Sequence, residues 1–278
     1  MFLAVALLGC LAPLTSCGEL SGRLSEPPAS TPPVWTPPAA ESPHLVLGNP
    51  SGATQDALDT ENLLIVGRGS AISYNAQRGT ANWVSWKTTE EDLGESIPRP
   101  IFRSDPRLPP GVERVEYHHY SGSGYDRGHL VPSADRFADA ELNAETFYMT
   151  NIVPQKAALN RYPWERLESY VRRQVRSGND AYNIAGCYGE LERLRRLSVP
   201  TNCWKIVLLL PKGSPPLNIS KASRVIAVDM PNSDNIGNRD WKHFRVTVRE
   251  IEQRTGFDFL SALPPETQDR VETVLDSK

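Results

Sequence analysis

At 278 residues, with 39% hydrophobic and 23% charged side chains, the chain has the composition of an ordinary globular protein, long enough for one large domain or two small ones. Its 30 Lys and Arg against 33 Asp and Glu give a formal net charge of −3, which counts against a protein held to polyanions by overall charge. Residues 1–43 hold Arg23 against Glu19, Glu26 and Glu41, so the remaining 29 basic and 30 acidic residues nearly cancel, and any anion-binding face must be a local concentration of cations.

Met1 to Thr15 is apolar except at its end, too short for a comfortable membrane span and suited to the hydrophobic part of a secretory signal. No Lys or Arg precedes Arg23, so the usual basic start is missing, and a mitochondrial transit peptide, which would be Arg-rich, is disfavoured. Leu14-Thr15-Ser16-Cys17 resembles a bacterial lipobox, in which the Cys becomes the lipidated first residue and tethers the protein to a membrane; an ordinary signal cut nearby with an incidental Cys is the alternative. Residues 1–17 are therefore read as a signal or lipoprotein signal. Residues 18–43, dense in Pro, Ser, Thr and Ala, read as a semi-extended linker, and 44–278 as the folded domain. The reading favours export, to the exterior, the periplasm or a membrane anchor.

In the folded region, Ala71–Asn75 and Asn82–Lys87 alternate like strands around a turn at Arg78-Gly79-Thr80. Residues 88–111 are rich in Pro, Gly and charge and read as a long loop, followed by a weak strand at Val112–Val115. His118 and His119 read as exposed strand-end residues. Tyr162–Arg176 has helical periodicity through Trp164, Leu167, Val171 and Val175, with Pro163 suited to the first turn. Trp204–Leu210, ended by Pro211, and Val225–Val228 read as strands, and Val246–Thr255 as a helix stopped by Gly256. Sheet and helix without regular alternation give an α+β class.

Cys10 and Cys17 fall in the signal, leaving Cys187 and Cys203. An even pair in an exported protein reads as a disulfide, closing a loop of about 16 residues worth roughly 3 kcal/mol by loop entropy. Two separately buried thiols are the alternative. No Cys/His grouping suggests zinc.

Chemistry concentrates between Ser121 and Glu168. Ser121-Gly122-Ser123-Gly124 is a flexible turn, and Asp126-Arg127-Gly128-His129 follows it. An imidazole that accepts a proton near neutral pH, beside a guanidinium that forks onto phosphate oxygens, suits phosphodiester chemistry. Further on, Asn160, Trp164 and Glu168 share one helix face if the helix reaches back that far. An amide oxygen and a carboxylate there can anchor a hydrated Mg²⁺. The bland readings are Asn160 as a helix N-cap, Glu168 as a solvated position paired with Arg172, and Trp164 as core.

The two segments together resemble the DNA/RNA non-specific endonuclease family. Its Asp-Arg-Gly-His motif stands at Asp126 to His129, followed by Pro132-Ser133-Ala134-Asp135-Arg136. Its second pattern, Thr-Asn-(x)₂-Pro-Gln-(x)₄-Asn-(x)₃-Trp-(x)₃-Glu, runs from Thr150 to Glu168. Further likeness lies at Gly79–Val84, Val199–Thr201, Trp204-Lys205 and Thr255–Leu260. The resemblance implies a ββα-metal nuclease fold with a central antiparallel sheet flanked by helices. It implies His129 as general base, Asn160 as the direct protein ligand of Mg²⁺ (Mn²⁺ being the alternative ion), and Glu168 as holder of the ion's water shell. Arg127 would stabilise charge on the phosphate, Asn151 would support the site by hydrogen bonds, and Arg99, with Arg103 as competitor, would be a further phosphate-binding residue. DNA and RNA would be cut without sequence preference, leaving 5′-phosphate ends, and a protein inhibitor is a partner that related nucleases allow. The competing readings are a non-catalytic nucleic-acid-binding or surface protein that keeps this fold, and a nuclease of narrow substrate range. Oligomeric state is not encoded in any feature of the sequence.

Overall fold

The structure, a computed structural model, describes residues 42–219 and 223–278. The expected signal, Cys17 and the linker up to residue 41 lie outside the described residues. Among those described, no helix is long and apolar enough to cross a membrane.

In chain order, β1 (Leu63–Val66), β2 (Ala71–Asn75) and β3 (Thr80–Thr88) form an antiparallel meander. A separate ribbon pairs β4 (Asp126–His129) with β5 (Ile152–Gln155), and α1 (Ala140–Glu145) lies in the connection between them. Then come α2 (Ala157–Leu159), a π-helical turn at Asn160–Trp164, and α3 (Glu165–Arg176). The chain returns through β6 (Asn179–Tyr188), a small hairpin of β7 (Glu192–Leu194) and β8 (Leu197–Val199), β9 (Asn202–Pro211), β10 (Arg224–Pro231) and β11 (Arg245–Val246). Two helices finish it, α4 (Val248–Thr255) and α5 (Pro265–Glu272). The main sheet is seven-stranded, in the order β1-β2-β3-β6-β9-β10-β11, and every pairing in it is antiparallel.

The period-two geometry of a strand gives this sheet two cores. On β9, Cys203, Val207 and Leu209 face one cluster, while Trp204, Ile206, Leu208 and Leu210 face the other. The first face receives Leu167, Val171 and Val175 of α3, and the second receives Val248 and Ile251 of α4. Each such apolar side chain, fully buried, contributes about 1.5–3 kcal/mol. Cys187 of β6 is the register partner of Cys203 on β9, and the two form a disulfide with Cα atoms 4.1 Å apart. The β7–β8 hairpin is therefore stapled at its base.

Several sequence expectations are corrected. Val112–Val115 is not a strand; both valines are buried, but the backbone between them is irregular. His118 and His119 sit in a 3-10 turn, Tyr117–Tyr120, and His119 Nδ1 accepts from the Glu116 amide at 2.9 Å. The α-helix expected from Tyr162 begins at Glu165, because Pro163 lies inside the π turn before it. The helix expected from Val246 starts at Val248, where Thr247 and Glu250 form a capping box, and ends on Gly256 at φ +74°.

Candidate active site

The β4–β5 ribbon and the helix after it make the ββα unit. Gly128 faces Val153 across the ribbon, and a Cβ on it would meet Gln155 Oε1 at 2.0 Å, so only glycine allows this approach. Alternation then sends Asp126 to one side of β4, and Arg127 and His129 to the other.

His129 is half-buried, its ring centroid 5.5 Å from Phe102 and 4.9 Å from Phe147. Burial first, and the charge of Arg99 second, push its pKa down to about 3. The imidazole is thus neutral at physiological pH, as a proton acceptor must be, and its buried Nε2 has no hydrogen-bond partner among the described residues. Its main chain is fixed from two directions. Trp164 Nε1 donates to the His129 carbonyl at 3.3 Å. Just beyond, buried Asn151 grips Val131 twice, accepting from its amide at 2.9 Å and donating to its carbonyl at 3.0 Å.

Phe102 gathers the cations. The Arg99 guanidinium lies 5.3 Å from its ring centroid and that of Arg127 5.5 Å, each within cation–π range. Arg127 also donates to the Tyr117 carbonyl at 2.8 Å. Arg103 instead stacks on Tyr148 and donates to its hydroxyl at 3.2 Å, so of the two competitors it is Arg99 that stands beside His129.

A cleft of about 460 Å³ is lined by His129, Asn160, Arg161, Glu165, Glu168 and Arg172 among others. Arg127, Arg99 and Asn151 are not among its lining residues; the first two lie against the Phe102 ring, and Asn151 is bonded to Val131 and Thr146. Asn160 has helical backbone angles, φ −60° and ψ −45°, which rules out the N-cap reading. Its amide nitrogen donates to Asp126 Oδ2 at 2.9 Å. Arg161 forks onto the same carboxylate at 2.7 and 2.8 Å, and this pairing, with the Asn160 bond, lowers the Asp126 pKa. An ionised carboxylate only accepts, so the amide oxygen of Asn160 is turned away from Asp126. Glu168 is not a solvated position either. Its side chain is 11% exposed, and Oε1 pairs with Lys205 Nζ at 3.2 Å, whereas Arg172 pairs with Asp135 and Glu165. Burial raises the Glu168 pKa against the opposing charges of Lys205 and Arg172. Trp164 is core, 1% exposed.

This donor set fits a hydrated Mg²⁺, which takes few protein oxygens and keeps several waters. A second acidic group, Glu252, Asp258 and Glu272, lies on α4, α5 and the loop after α4. Arg249 already pairs with Glu252 at 3.2 Å and Glu272 at 2.9 Å.

The sequence model of the DNA/RNA non-specific endonucleases matches residues 49–266. The chain belongs to the DNA/RNA non-specific endonuclease family. A nuclease of Nostoc sp. is 44% identical over 252 residues, covering 90% of this chain and 92% of that one. A nuclease of Serratia marcescens is 27% identical over 234 residues, 80% and 82% of the two chains. The mitochondrial nuclease EXOG of Danio rerio is 30% identical over 210 residues, 69% of this chain and 59% of its own. The crystal structure of the EndoG/EndoGI complex aligns with a TM-score of 0.66 at 22% identity, covering 80% of this chain and 91% of that one, and shares the ββα-metal fold. Family membership and these relatives make the chain a nuclease.

The contacts of three residues in this candidate site were not legible in the sequence. Asp126 belonged to the motif, but its hold on Asn160 spans 34 positions. Phe102 lies in an irregular segment with no periodic pattern around it. Lys205 matched the family pattern without any role attached to it.

Proposed function

We propose that this nuclease is a metal-dependent endonuclease that hydrolyses DNA and RNA without sequence preference and leaves 5′-phosphate ends. The observation that carries the reading is the hydrogen bond from Asn160 to Asp126, which turns an amide oxygen away from that carboxylate on a residue that shares a cleft with Glu168 and His129. Asn160 would hold Mg²⁺ (or Mn²⁺) directly, and Glu168 would accept hydrogen bonds from its water shell. The ion would supply charge stabilisation for the departing 3′ oxygen. Neutral His129 takes a proton from the attacking water. Arg127 and Arg99 meet the negative charge that builds on the phosphoryl oxygens. Asn151 keeps the chain just beyond His129 in place. These groups address one phosphate and no base edge, which is the physical basis for indifference to sequence.

The test is digestion of supercoiled plasmid, single-stranded DNA and RNA by the purified protein, with Mg²⁺ or Mn²⁺ and then with EDTA. Cleavage of all three that stops in EDTA is expected. Inertness with every substrate would favour a non-catalytic module of this fold, and digestion of one substrate alone would restrict the range.

We infer further that residues 1–17 direct export, 18–43 form the linker and 44–278 the nuclease domain. The Cys187–Cys203 disulfide supports an oxidising destination. Mass spectrometry of the mature N-terminus distinguishes a lipidated Cys17 from an ordinary signal cut. The EndoG/EndoGI complex makes a protein inhibitor a reasonable partner class to test by pull-down and inhibition assay.

A further inference from the structure

β9 carries one charged residue, Lys205, in the middle of an otherwise apolar run from Trp204 to Leu210. Its side chain is 2% exposed and faces the core beneath α3. Its Nζ lies 4.4 Å from the Trp164 ring centroid and 5.2 Å from that of Trp86, held between two indoles. Its one direct ion pair among the described residues is with Glu168 Oε1. The other carboxylate nearby, Asp135, is already met by Trp86 Nε1 at 3.0 Å, Thr88 Oγ1 at 3.1 Å and Arg172 at 3.2 Å.

A buried ion pair is a poor stabilising device, because apolar side chains of similar volume usually serve a core as well or better. The neighbours of Lys205 on this face, Cys203 and Val207, are apolar. What the lysine adds is control of Glu168. It engages Oε1 of a residue that lines the cleft, and opposes the burial that favours protonation there. Trp164 serves both halves of the site, covering Lys205 with its ring face and holding the His129 carbonyl with Nε1.

We propose that Lys205 is a positioning residue for the hydrolytic reaction, acting through Glu168 to hold its carboxylate in a fixed place at the cleft. This rests on the role given to Glu168 above. The experiment compares the wild type with Lys205→Met, Lys205→Arg, Glu168→Gln and the Lys205→Met/Glu168→Gln double variant, reading kcat, KM for DNA and the half-saturating Mg²⁺ concentration. Lys205→Met should lower kcat by roughly 10- to 100-fold, the range for groups that orient a metal site's ligands, and raise the Mg²⁺ requirement with KM unchanged. Lys205→Arg should retain more activity than Lys205→Met. In the Glu168→Gln background the Lys205 substitution should have no further effect. A wild-type kcat in Lys205→Met, or an equal loss in both backgrounds, overturns the proposal. Should circular dichroism show Lys205→Met unfolded, the double variant, with both buried charges removed, decides alone. Activity equal to Glu168→Gln supports the proposal, and a further loss overturns it. Full activity in Glu168→Gln itself would remove the role of Glu168, and Lys205 with it, an outcome distinct from the others.

Discussion

Asp126 accepts a hydrogen bond from the Asn160 amide nitrogen at 2.9 Å while Arg161 holds both of its oxygens, and this pairing decides which end of the Asn160 amide is free. Removing the carboxylate should let the amide rotate. Asp126→Ala is therefore expected to raise the Mg²⁺ concentration for half-maximal cleavage by roughly 10- to 100-fold, as loss of a partner that orients a metal ligand does. An unchanged metal titration would mean that Asn160 needs no such orientation.

Acid should silence the enzyme through His129, and Arg99 should set where. Burial and then Arg99 lower the imidazole pKa to about 3, so the neutral base persists well below the ordinary value of 6.5. The acid limb of kcat/KM belongs below pH 6.5. Arg99→Met removes a charge that disfavours the protonated ring, so the limb should move to higher pH. A shift the other way would show that Arg99 does not act on His129.

The disulfide closes the loop that carries the β7–β8 hairpin, whose Leu194 and Leu197 pack with Tyr120 and Phe102 beside the site. Its reduction should cost roughly 3 kcal/mol of stability by loop entropy. Urea unfolding with and without reductant measures this, and coincident curves would contradict it.

His44 should make the fold acid-sensitive. Burial first lowers its pKa to about 4, against the bond from Nε2 to the Arg68 carbonyl at 2.9 Å. Between pH 6.5 and 4 the unfolded chain takes up a proton that the folded one refuses, so stability is lost as pH falls through that window and is unaffected above it. The loss should reach roughly 3 kcal/mol, at 1.36 kcal/mol per pKa unit. Urea midpoints at pH 7.5 and 4.5 should lie closer together in His44→Gln than in the wild type, and equal spacing in both would exclude His44 as the cause.

Ala71–Asn75, which alternates, and the apolar run Val225–Val228 were legible as strands in the sequence, and each sends apolar side chains into both cores. β6 was not, since its buried positions include Asn183, which bonds Thr88, and Gly186, which lies against Trp204. Val112–Val115 misled for the opposite reason. It buries two valines, but Arg114 donates to the carbonyls of Asp105 and Leu108 and ties the segment to the loop instead of a sheet. At the site, helical spacing put Asn160 and Glu168 on one face, and both line the cleft, while Trp164 between them is core. Their partners Asp126 and Lys205 stayed hidden because each lies more than 30 positions away, where only the fold sets proximity.

The central claim is a division of labour, with a base on the ribbon facing a metal held by the helix. Calorimetric titration of Mn²⁺ into the wild type, His129→Ala and Asn160→Ala, alongside their cleavage rates, tests it most directly. The account predicts that His129→Ala binds the ion as the wild type does yet cleaves roughly 10²- to 10⁴-fold more slowly, the usual worth of a general base, while Asn160→Ala loses binding. Wild-type binding by Asn160→Ala, or lost binding by His129→Ala, would contradict it.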